Sequence, residues 1–359
     1  MANGLELTYF LGANTPRGFI SLYDEFVNTE AGDFLWVLKG GPGCGKSGFM
    51  RRIGQAAADA GLDVEYILCS GDPHSLDGVY IPALHVAYTD GTAPHVQEPP
   101  FACAGGAYLD LSRFCDTAAL HAKLGDVMAC SRAYKAKYAE AYALLALLPA
   151  AQAPRTEGLP ADAARQAAVR RAESLARRVL PVRRGQEGRT LRRFLGAFCC
   201  EGRLFRTDTA EALCGKIYLL DRELGLADDY LRALALQAQR RGWDAVCCPD
   251  PLDPEKLEAV LLPEAGVGCV AAPPEARWEK AATRRIRLDA LPERTQLQAL
   301  RAELRESGRR RSRLLAQAAA VLAEAKTLHD ALEALYNPHV DFEGVSREAD
   351  AHIRRLLGG

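Results

Sequence analysis

The chain has 359 residues, 48% hydrophobic and 25% charged, with a net charge of −1. That length suits two domains, and the balanced charge supplies no general attraction for nucleic acid or an acidic membrane surface. No apolar run reaches membrane-spanning length, the amino terminus lacks a basic-then-apolar leader, and the 11 cysteines form no metal-type C-x-x-C pair, so a cytoplasmic protein with reduced thiols is expected.

From the amino terminus, Phe10-Leu-Gly-Ala13 leads into Asn14–Thr15, a candidate contact for base, ribose or phosphate, or else a simple turn. The segment Phe34–Ser47, FLWVLKGGPGCGKS, joins a predicted strand over 34–39 to a glycine-rich loop, with Gly40, Gly45, Lys46 and Ser47 at the fixed places of G-x-x-x-x-G-K-[ST]. Behind it Phe49, Met50, Ile53, Ala57 and Ala60 recur at helical spacing, which predicts a helix over 45–60 ended by Gly61. In that context the loop amides and the helix N-terminus converge on an anion. The expected triphosphate-binding residues are therefore Gly40, Gly41, Pro42, Gly43, Cys44, Gly45, Lys46, Ser47 and Gly48. Lys46 would offset charge developing on phosphoryl transfer, and Ser47 would hold Mg²⁺. Further strands are predicted over 63–69 and 84–89, and Asp90, at the end of the latter, is the expected second metal-orienting carboxylate. Gly91 stands where many P-loop ATPases carry a water-orienting glutamate; His95 and Glu98 are the substitutes at hand.

Two long helical seams follow. Leu120, Leu124, Val127, Tyr134, Tyr138, Ala141, Leu145 and Leu148 keep a 3-and-4 spacing up to Pro149. Leu297, Leu300, Leu304, Leu314, Ala318, Val321, Ala325, Leu328, Leu332 and Leu335 do likewise up to Pro338. Return helices over 161–180 and 344–357 would complete an antiparallel hairpin in each half, or an arm for a protein partner. Arginines cluster in Arg165–Arg193 and Arg284–Arg313 without interleaved aromatics, which reads as solvated helix face rather than nucleic-acid contact. An arginine from the second half reaching the phosphates as a finger is a further role for them.

The chain also repeats itself. Gly61–Pro82 aligns without gaps on Gly242–Pro263, and Phe10–Ala13 recurs as Phe194–Ala197. This predicts two copies: 1–188, with a helical appendage at about 116–180, and 189–359, with one at about 292–357. The alignment sets Ala227 on Lys46, Asp228 on Ser47, Asp221 on Gly40 and Ala271 on Asp90. Alanine cannot neutralise phosphate and aspartate repels it, so the second copy is expected to keep the fold without the nucleotide. Asp72 and Pro73, retained as Asp253 and Pro254, read as turn-formers.

The combination FLGANTPRGFISLYD, LKGGPGCGKS, CSGDPHSLDGVYIP and VAYTDGTAPH resembles a family of bacterial tandem P-loop proteins described as ATPases or nucleotide-kinase-like. The resemblance is strong over residues 7–95, weaker over 190–272, and takes in the AEAKTLHDALE segment of the carboxy-terminal helix. It implies a cytoplasmic ATP-binding protein of two P-loop modules. This chain departs in the second module, where the family pattern carries another glycine-rich Gly-Lys-Ser/Thr loop, and one competent site is left. The expected fold class is thus α/β: two tandem P-loop NTPase-like modules, each a parallel sheet flanked by helices with a helical hairpin appendage, the second degenerate. The expected function is Mg²⁺-dependent ATP binding with ATPase activity. A kinase with an acceptor pocket near Ser70-Gly-Asp-Pro-His74, or a non-hydrolysing ATP-dependent switch, are the alternatives. No Asn-Lys-x-Asp run marks guanine recognition, so ATP is favoured over GTP.

Overall fold

Residues 6–10 alternate toward a buried face, and Gly18 takes the left-handed φ (94°) that a tight hairpin needs. In the computed structural model, which describes residues 3–92, 97–151, 162–274, 276–279, 283–292 and 294–358, they form β1 (Glu6–Phe10) and the hairpin of β2 (Gly12–Thr15) with β3 (Gly18–Ser21). The apolar runs that follow become β4 (Phe34–Lys39) and β5 (Val64–Leu68), separated by α1 (Lys46–Asp59). Phe49, Met50, Ile53 and Ala57 of α1 are buried against the sheet, as their spacing predicts.

The chain then departs from a parallel sheet. Asp72 accepts a backbone bond from Ser75 and, through its carboxylate, one from His74, closing a tight turn. The next strand, β6 (Leu76–Ile81), therefore returns antiparallel to β5 before β7 (Val86–Asp90) and β8 (Gly106–Asp110) restore the parallel direction. The six-stranded order is β1-β5-β6-β7-β4-β8, a mixed sheet in which only β6 is reversed. The wholly parallel sheet expected from the strand–helix alternation is corrected by that hairpin.

After α2 (Thr117–Ala122), α3 (Leu124–Leu145) and α4 (Asp162–Val179), the second half repeats the plan. It runs β9 (Thr190–Arg192), β10 (Gly196–Cys199), β11 (Gly202–Phe205), α5 (Thr207–Leu213), β12 (Lys216–Leu220), α6 (Leu226–Arg240), β13 (Ala245–Asp250), β14 (Asp253–Leu262), β15 (Val267–Val270) and β16 (Thr283–Ile286). Its order, β9-β13-β14-β15-β12-β16 with β14 reversed, matches the first sheet strand for strand. The halves meet at equivalent residues. Phe10 and Phe194 exchange backbone bonds of 2.9 and 3.0 Å, which places a local two-fold between them. Buried Arg193 spans the junction, its guanidinium donating to Glu65 Oε2 (3.3 Å) and to the Glu25 carbonyl (3.0 Å).

The appendages do not form the expected hairpin within each half. α3 lies along α7 (Arg294–Tyr336), burying Ala141, Leu145 and Leu148 with Ala318, Val321 and Leu322. α4, from the first half, packs Ala168, Ala172 and Leu175 against Leu231 and Leu234 of α6 in the second. Reciprocally, α8 (Phe342–Leu357) from the second half covers α1 in the first, with Val345 and Ala349 in the core and Arg52 paired to Asp350 at 2.6 Å. Each half is thus sealed by the return helix of the other. Burial of each large aliphatic side chain in such a seam contributes about 1.5–3 kcal/mol, more than a solvated hairpin would gain.

No helix among the described residues is long and apolar enough to cross a membrane.

Candidate functional site

β4 ends at Lys39 and α1 begins at Lys46, so Gly40–Gly45 must reverse the chain in six residues. Gly43 (φ 68°) and Gly45 (φ 85°) take left-handed conformations that a side chain would strain. Gly45 caps α1, and no side chain accepts from the amides of its first turn. Those donors are left without helical partners.

Lys46 is only 8% exposed, an unusual burial for an ammonium. Its Nζ donates to Gly40 O (2.8 Å) and Gly41 O (2.9 Å) and stands 3.6 Å from Asp90 Oδ2. Asp90 is held in turn by Thr92, whose amide (2.8 Å) and hydroxyl (2.6 Å) both donate to Oδ1. The Ser47 hydroxyl accepts from the Leu76 amide at 2.9 Å, which ties α1 to the start of β6. The parallel register of β4 and β7 sets Leu38 beside Asp90, so the loop and the carboxylate emerge together beyond the carboxyl ends of adjacent strands. All the residues expected from the motif, Gly40–Gly48 and Asp90, are gathered there. The set fits a Mg²⁺–triphosphate: open amides, a buried cation, a hydroxyl and a carboxylate.

Gly91 follows Asp90, and a Cβ there would stand 2.4 Å from Val37 Cγ1, so no carboxylate is accommodated at that place. Glu98 is exposed, and His95 lies outside the described residues. Asn14 is buried away from solvent: its amide donates to Ser70 O and Phe198 O and its carbonyl accepts from Tyr142. It fastens the two halves together. In the Ser70–His74 segment the Tyr138 hydroxyl stands against Gly71 and Lys326 pairs with Asp72, while His74, paired with Glu201, is exposed.

The glycine-rich loop has neighbours the sequence did not announce. Tyr336 Cε1 would stand 2.6 Å from a Gly41 Cβ, the Asn337 amide 2.5 Å from a Gly43 Cβ, and Val345 Cγ1 3.4 Å from a Gly45 Cβ. In the orientation that satisfies its surroundings, the Asn337 amide donates to Gly43 O at 3.0 Å. The α7–α8 junction therefore rests on the loop, and three glycines leave room for that packing. Cys44 Sγ lies 3.2 Å from Cys115 Sγ, and burial, then that contact, pushes the Cys44 thiol up to about 12. Only Asn337-Pro338 hints at a junction in the sequence; nothing there says which surface it meets.

In the second half the same place is built differently. Asp228 Oδ1 accepts from the Leu257 amide at 2.8 Å, the bond that Ser47 makes with Leu76, so Asp228 has taken over the structural part of the serine's role. The β12–β15 register places Asp221 opposite Lys39 rather than Gly40, because the connecting loop is one residue shorter. The alignment of Gly40 on Asp221 is corrected accordingly. Asp221 pairs with Arg285 at 2.6 Å, and Arg203 binds Asp250 and Glu258. Ala271 stands where Asp90 does: Ala271 is bonded through its amide to Glu258 O.

Comparison with known proteins finds no matching family, no similar curated protein and no similar solved structure.

Proposed function

We propose that this protein binds one Mg·ATP at the glycine-rich loop of its first half and hydrolyses it slowly. The reading rests on the buried Lys46, held between two loop carbonyls and Asp90, together with the absence of this set from a second half that keeps the same strand order. The amides of the loop and of the first turn of α1 bind the phosphates, and Lys46 offsets the charge that builds up on the transferred group. Ser47 and Asp90 would hold Mg²⁺, which would supply positive charge to offset that of the phosphates. With Gly91 beside Asp90 and no carboxylate at that place, the attacking water is poorly oriented and turnover is low.

The α7–α8 junction on the loop favours a second reading, a nucleotide-dependent switch in which the loop conformation is passed to the long α7 arm. A kinase is disfavoured, since Tyr138 stands against Gly71 and Lys326 pairs with Asp72 in the segment after β5. Phosphate release from Mg·ATP by the purified protein, with no acceptor and lost in Lys46→Ala, is the expected result. ADP formed only with an added acceptor would establish the kinase instead. Tight binding with neither outcome would establish the switch.

A further inference from the structure

We infer that Cys44 and Cys115 form a modification site, a thiol pair that hydrogen peroxide converts to a disulfide, closing the glycine-rich loop to nucleotide. The effect on nucleotide rests on the reading of that loop as a triphosphate site; the disulfide itself does not. The sheet brings the two sulfurs together. β4 and β8 are parallel neighbours, with Lys39 level with Asp110. Cys44 and Cys115 each lie five residues beyond that pair, on segments that leave the sheet side by side. The Leu111 amide donates to Lys39 O (2.8 Å), and the Cys115 amide donates to Ser112 O (2.9 Å), which folds the second segment back over the loop. The sulfurs end 3.2 Å apart, although the residues are 71 apart in sequence. A disulfide bond is about 2.0 Å long, so a movement of roughly 1 Å forms one.

The two thiols have different roles. Cys44 is buried, whereas Cys115 is partly exposed and is the one that meets the oxidant. Its thiolate attacks one peroxide oxygen; the O–O bond breaks, giving the sulfenic acid and hydroxide. The Cys44 sulfur then attacks the Cys115 sulfur. The S–S bond forms, the S–O bond breaks, and the hydroxyl leaves as water with the proton of the Cys44 thiol. A thiol reductant reverses the change. Burial keeps Cys44 in its thiol form, which spares it from direct oxidation and makes the second step the slower one.

The loop is closed on itself in this structure. Lys46 Nζ is engaged by Gly40 O and Gly41 O, the Cys44 amide donates to Gly41 O (3.4 Å), and the Asn337 amide donates to Gly43 O (3.0 Å). A triphosphate has to draw Lys46 off those carbonyls and turn the loop amides to its own oxygens, so the loop must move. A bond from Cys44 to the segment after β8 ties down its middle. Nucleotide binding and crosslinking therefore oppose each other, by the same factor in both directions.

The test treats wild type and Cys115→Ser with hydrogen peroxide, blocks the remaining thiols with maleimide, and maps the digested peptides by mass. Calorimetry measures Mg·ATP affinity before oxidation, after it, and after dithiothreitol, with thermal melts to confirm folding. In wild type the Cys44 and Cys115 peptides should be joined, and ATP affinity should fall about tenfold or more and recover on reduction. Saturating Mg·ATP should slow the crosslink. Cys115→Ser should bind ATP as reduced wild type does and keep that affinity after peroxide. No Cys44–Cys115 crosslink at peroxide levels that oxidise the exposed Cys103 would overturn the site. A crosslink that leaves ATP affinity unchanged, or an equal loss of affinity in Cys115→Ser, would overturn the closing of the loop. Failure of reduced wild type to bind Mg·ATP would overturn the loop assignment instead, and the peptide map would still decide the disulfide.

Discussion

Lys46 and Asp90 form an ion pair whose energetic weight follows from its burial. Their side chains are 9% and 15% exposed and the charges are 3.6 Å apart. At an effective dielectric of about 20 that separation corresponds to roughly 4–5 kcal/mol of attraction. Each partner keeps other bonds when the pair is broken, Lys46 to two carbonyls and Asp90 to Thr92, so the measurable coupling should be about 2 kcal/mol. Lys46→Met strands a carboxylate and Asp90→Asn strands an ammonium; each should cost about 2–4 kcal/mol. The double variant should cost about 2 kcal/mol less than the two single losses together. Urea unfolding of the nucleotide-free protein, read from midpoints at constant slope, measures all four corners of the cycle. Losses that add to within about 0.5 kcal/mol would refute a direct pair.

Three other outcomes follow from packing and burial. Gly43→Ala should destabilise by about 2–4 kcal/mol, through its left-handed backbone and the Asn337 contact, whereas Gly48→Ala, with open space around it, should stabilise by up to about 1 kcal/mol in thermal melts. Arg193→Met should cost about 3–5 kcal/mol in urea unfolding, because it removes the bonds to Glu65 and to three backbone carbonyls at the junction of the halves. His352, packed on Trp36 with a ring-centroid distance of 4.8 Å and bonded through Nδ1 to the Tyr88 hydroxyl, has its pKa lowered by burial and by Arg355. Its imidazole is held neutral on folding, so the unfolded chain takes up the extra proton. Stability is then full above about pH 6.5 and falls as pH drops below it; His352→Gln should flatten that part of the profile in melts between about pH 5 and 8.

Local elements were legible because local physics decides them. The strand–glycine loop–helix unit, the carboxylate at the end of β7 and the long helix up to Tyr336 all declare themselves through periodicity and turn residues. The reversed strand β6 did not, although Asp72-Pro73 was readable as a turn: whether a turn leads to a hairpin or a crossover depends on where the next strand pairs. Least legible was the exchange of α4 and α8. An apolar stripe such as Val345–Ala349 demands a partner but does not name it, and α1 and α6 offer similar grooves because the halves are copies. The same ambiguity hid the contacts of Tyr336 and Asn337 with the glycine-rich loop. In Asp228 the internal comparison misled in the opposite sense: the substitution removes the serine hydroxyl yet preserves the bond to the next strand.

The most direct test is calorimetric titration of the intact protein with Mg·ATP, beside Lys46→Ala and Asp228→Ala. One nucleotide per chain in the wild type, none in Lys46→Ala and one in Asp228→Ala is the expected pattern. Two per chain, or binding that survives Lys46→Ala and disappears in Asp228→Ala, would contradict it.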